Sequence, residues 1–146
     1  MLAAYIEEVS LDTDFWARSN CMLFVGRWVA MIRPEYDVTR WLGAHRSLEE
    51  AMADVSAAGG MAALFAAEAA RAGLIEIAPS EAEIGDVGYF EVTDVETRLG
   101  EVAKRLPARL YPACIRGPRH WCVRGGDGVG RVSAEGRYQP VRVWRV

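Results

Sequence analysis

A chain of 146 residues, 51% hydrophobic and 25% charged, is long enough to bury a core of its own and too apolar to stay disordered. No apolar run approaches the roughly 20 residues that span a bilayer, and glutamates stand at positions 7 and 8, where a signal peptide would be apolar. The expectation is one domain over residues 1–146, without a membrane span or signal peptide, made in a cytoplasm.

The net charge of −3 hides an asymmetry: residues 1–100 carry 7 basic and 17 acidic side chains, residues 101–146 carry 10 and 3. An acidic half and a basic half point to oppositely charged faces. Three cysteines (Cys21, Cys114, Cys122) without a CxxC pair, and two histidines (His45, His120), argue against a disulfide framework or a zinc site.

In chain order, Leu2, Tyr5, Ile6 and Val9 have the spacing of a short helix. Asp12 to Asn20 reads as a turn-like approach. The run from Cys21 to Ile32 is apolar nearly all round, the pattern of a buried central helix, and Arg33-Pro34 stops it. Ser47-Leu48-Glu49-Glu50 has the form of a capping box opening a helix to about Ala58. Gly59-Gly60 breaks the chain, and an alanine-rich helix follows from Met61 to Ala72, with Gly73 in the C′ role. Gly73 to Ile84 reads as a connector. The period then changes to two: strands are predicted from Asp86 to Val92, Leu110 to Arg116, Arg119 to Arg124, Gly128 to Val132 and Val141 to Val146. Val95 to Leu106 has the spacing of a short helix or an insertion. A mainly helical 1–84 followed by a mainly β 85–146 predicts an α+β domain with an antiparallel sheet. Trp144, so near the end, predicts a tail pinned by packing, internally or against a partner.

Cys21 follows Ser19-Asn20 and opens the apolar helix. A thiol there meets the positive end of the helix dipole and uncapped amides, which favour the thiolate, and a preceding Ser or Asn supplies the cap. That is the placement of a nucleophile, although a cysteine is also a small apolar residue at home in a core.

The segment Asp14-Phe15-Trp16-Ala17-Arg18-Ser19-Asn20-Cys21 with its helix resembles the nucleophile segment of NlpC-type cell-wall cysteine peptidases, a compact papain-like branch. It is more similar still to a phage- and prophage-encoded branch of related domains. Trp28 as an inward tryptophan, Gly59-Gly60 between helices, and Ala82-Glu83-Ile84-Gly85-Asp86-Val87 opening the first core strand follow in the same order. The resemblance implies a papain-like NlpC-type domain, helices packed on an antiparallel sheet, with Cys21 as the nucleophile. It also places Tyr111 where that family has its histidine, and the second polar position near Val123, with Cys122 and Arg124 beside it. The family's Gly-x-x-Asp before the cysteine is here Ala17-Arg18-Ser19-Asn20.

His120 is the one histidine in the strand half and becomes a base for Cys21 only if the strand register brings it there; a one-residue slip turns it to the other face. Tyr111, with an ordinary pKa near 10, is a poor base at neutral pH. His45 is expected to face solvent. Gly125 to Gly130 lies between strands, not before a helix, so no nucleotide or other cofactor is expected. Arginines alternating with Trp121, Tyr138 and Trp144 would suit single-stranded nucleic acid, but an acidic chain argues against it. The resemblance thus implies a phage or prophage tail protein (tail tip, hub or assembly) in the virion tail, catalytically degenerate and docked on other tail proteins. The alternative is an active cysteine peptidase or amidase on peptidoglycan stem peptides, with Cys21 and His120 as its pair.

Overall fold

The computed structural model describes residues 1–14, 20–93, 109–110, 112–125 and 128–146. Four helices come first: α1 (Leu2–Ser10), α2 (Cys21–Ile32), α3 (Leu48–Ala57) and α4 (Met61–Arg71). Eight strands follow: β1 (Ile75–Ile77), β2 (Val87–Tyr89), β3 (Val92–Thr93), β4 (Arg109–Leu110), β5 (Ala113–Arg116), β6 (His120–Gly125), β7 (Gly128–Ser133) and β8 (Arg142–Arg145). The architecture is α+β. Six strands form an antiparallel sheet in the order β1-β8-β2-β5-β6-β7, and β3 pairs β4 separately. The predicted helical segment over 95–106 lies outside the described residues.

The helices cover one face of the sheet. Tyr5, Val9, Leu23, Phe24, Trp28, Phe65 and Ala69 bury against Val87, Tyr89, Ala113, Ile115, Cys122 and Trp144. The alternate strand residues, Cys114, Trp121, Val123 and Val143, turn to the opposite face and pack with Phe90. This is the period of two that the strand half shows in sequence. As its all-round apolar pattern predicts, α2 buries Leu23, Phe24, Val25, Gly26, Trp28 and Val29.

Local signals behave as their chemistry requires, with one variation. Ser47 Oγ accepts from the Glu50 amide, but the Glu50 carboxylate bonds the amide of Arg46, one residue before the usual partner. Gly73 closes α4 at φ +67°, where Leu74 N–H donates back to Ala69.

The connector from Gly73 to Ile84 needs correcting: it contains β1, which pairs with β8. Three residues, Ile-Glu-Ile, are too few to show a period, and only the arrival of β8 makes them a strand. The tail is pinned internally: Trp144 is buried on a strand between β1 and β2 and stacks on Phe65. Gly88 is required where β2 runs between β5 and β8: an added Cβ would stand 2.5 Å from the Arg142 carbonyl oxygen.

Candidate functional site

Cys21 opens α2 as predicted. Asn20 is the N-cap, its side-chain oxygen accepting from the amides of Met22 (3.1 Å) and Leu23 (3.0 Å). The cysteine is half-buried and free of any disulfide. Desolvation pushes its thiol above the ordinary cysteine range; the amides of Ala113, Met22 and Cys21 itself act in the opposite direction without overcoming it. The Ala113 end of β5 therefore lies beside the sulfur. The cap and the dipole are present, yet the net direction is toward the neutral thiol.

His120 opens β6 at its far end. It pairs with Ser133, and its carbonyl accepts from Gly117 in the β5–β6 turn. The register Cys114↔Val123 puts Arg124 one step further on, toward the Ala113 end of β5. Arg124 and His120 stand four positions apart, about 13 Å of strand. The helix runs the same way: Trp28, seven residues beyond Cys21, donates to the Gly85 carbonyl, and Gly85 in turn donates to Arg116 at the His120 end of β5. So the proposed pair is not brought together. His120 does lie on the helix side of the sheet with Cys122 and Arg124, but at the wrong end of the strand. Tyr111 lies outside the described residues, as do residues 15–19 before the cap.

His45 is buried rather than solvent-facing. Its Nε2 lies 2.5 Å from an Asp54 carboxylate oxygen on α3, and the Trp41 ring stands 6.0 Å away. A partner nine residues on in sequence, with an aromatic cover, has no local signature.

Two polar residues were not weighted by sequence reasoning. Arg124 is 4% exposed and donates to the carbonyls of Asp12 (2.6 Å) and Gly125 (2.7 Å), tying the approach to Cys21 onto the sheet. Arg27 holds the same residue from α2, through the Asp12 carboxylate at 3.6 Å. Glu68 is buried on α4, accepting from Tyr36 Oη (2.8 Å), Trp41 Nε1 (3.3 Å) and the Arg40 guanidinium. A signal was there: Glu68 follows Leu64 and Phe65 by four and three residues, on the helix's apolar face. Glu68 also lines a cavity of about 40 Å³ between α2, α4 and the β2–β8 pair, otherwise walled mostly by apolar side chains such as Val29 and Trp144.

The Gly-Asp-Val turn is a lock. Asp86 is 2% exposed, and its carboxylate accepts from Glu83 N (2.7 Å), Arg145 Nε (3.0 Å) and Val146 N (3.2 Å).

With this geometry in hand, comparison with protein families finds one model, a domain of unknown function (DUF6950), matching residues 1–146. The chain belongs to the DUF6950 family. No curated protein and no solved structure matches it. Among the described residues of this DUF6950 domain, no helix is long and apolar enough to cross a membrane.

Proposed function

We propose that this chain is a phage or prophage tail component, at the tail tip or hub or in tail assembly, with an NlpC-type papain-like fold. It keeps the nucleophile position without the hydrolysis and works through protein–protein contacts in the virion tail. The observation that carries the degenerate reading is at Cys21. Its thiol sits at the capped start of the central helix against β5, while His120 is at the other end of β6 and His45 is engaged with Asp54. The tail assignment rests on the resemblance of the segments around Cys21, Gly59-Gly60 and Gly85-Asp86-Val87 to the phage-associated branch.

A cysteine peptidase or amidase acting on peptidoglycan stem peptides is the second reading. It is favoured by the amides of Cys21 and Ala113 beside the sulfur, since backbone donors near a nucleophile are how an oxyanion is stabilised. Incubating the protein with purified peptidoglycan and following soluble stem peptides separates the two. The proposal expects no release above that of Cys21→Ala; release abolished by Cys21→Ala overturns it. Mass spectrometry of purified virions tests the location: the chain is expected at a fixed stoichiometry to the other tail proteins, and its absence from virions and tail-assembly intermediates defeats the tail assignment.

A further inference from the structure

The two edges of the six-stranded sheet differ. At one edge, β1 has three residues, and its Glu76 is held by a two-pronged ion pair with Arg142 on β8. At the other, β7 runs unbroken through six residues, each paired with β6. Its turn to Ala134 sets the phase: Ala134 N–H donates to Arg119, so the bonded pairs are 119/134, 121/132, 123/130 and 125/128. Val129, Arg131 and Ser133 therefore turn their amides away from β6, and among the described residues no strand pairs with that side.

Proteins commonly blunt such an edge with a proline, a bulge or charge. The ladder of β7 has neither proline nor bulge, and its one charge is Arg131. Arg131 lies opposite Cys122, on the helix side of the sheet; it is exposed and has no carboxylate partner among the described residues. A second β7 paired antiparallel about this position would set Arg131 against itself, which like charges disfavour. Gly130 and Val132 alternate with it on the opposite face, where Val132 packs against the cluster around Trp121.

We propose that β7 is a docking edge for an extended segment of a partner protein with the pattern apolar–acidic–apolar. The acidic residue pairs with Arg131, and the flanking apolar residues lie beside Gly130 and Val132. Main-chain bonds to the amides of Val129, Arg131 and Ser133 supply the affinity, and Arg131 supplies the selection. This edge is independent of any chemistry at Cys21.

The test uses the full chain and two blocked peptides, Thr-Val-Glu-Val-Thr and Thr-Val-Lys-Val-Thr, with amide exchange followed by NMR. At a concentration of the glutamate peptide about ten times its Kd, exchange at those three amides slows about tenfold, and the lysine peptide gives little protection. In Arg131→Glu, whose exposed side chain leaves the fold intact by circular dichroism, the preference reverses. Equal protection by both peptides, protection elsewhere on the sheet, or none with either peptide overturns the proposal.

Discussion

At one end of α2 the Trp28 indole, Gly85, Asp86 and the chain's last residues interlock, whereas at the other Asn20 and the Ala113 amide surround a thiol. Both ends bury polar atoms against the same sheet. At the Trp28 end, Asp86 is a buried charge met by three donors, which makes it costly to disturb. At the Cys21 end the donors are backbone amides facing a weakly acidic group, and burial keeps that group neutral. One end is built to hold the fold, and the other holds a capped cysteine under conditions that suppress its ionisation.

The contrast can be broken by substitution. Asp86→Ala leaves the Glu83 amide, the Arg145 guanidinium and the Val146 amide without their acceptor, and should cost about 3 kcal/mol in urea denaturation. Arg124→Met removes the bond that ties Asp12 to the sheet, along with the bond to the Gly125 carbonyl, and should cost about 2 kcal/mol. If Arg124→Met proves the costlier, the Cys21 end is the real lock. Asn20→Ala uncaps α2 and should cost about 1 kcal/mol, with the amides of Met22 and Leu23 left without their acceptor.

The smallest effect is in pH. Burial raises the thiols of Cys21, Cys114 and Cys122 above the ordinary range. A raised folded-state pKa gives stability that is full below the unfolded thiol value of about 8.5 and lost as pH rises through the higher folded value. The urea midpoint should therefore fall in alkaline buffer, and less steeply in Cys21→Ala. Iodoacetamide should modify Cys21 slowly at neutral pH and faster only in alkaline solution; rapid labelling at pH 7 would place an activating group beside the sulfur.

Much of this was legible locally. The all-round apolar run from Cys21 to Ile32, Asn20 ahead of it and the alternation in the strand half are nearest-neighbour chemistry, and each predicted what formed. Glu68 was legible as a carboxylate on the apolar face of an alanine-rich helix, three and four residues after Phe65 and Leu64. His45 was not legible: its burial depends on Trp41 and Asp54 folding onto it from either side.

By itself, then, the sequence determined the α+β class, the buried central helix, its capped cysteine and the pinned tail, because helix and strand periods and capping are properties of short stretches. Tertiary structure decided which strands pair and in what register. That set His120 at the Arg116 end of β5 and Arg124 at the Ala113 end, turned Ile75–Ile77 into an edge strand, and left the amides of β7 facing outward. Register is a relation between distant segments, set by how two faces of one sheet are buried at once, and no short stretch contains it.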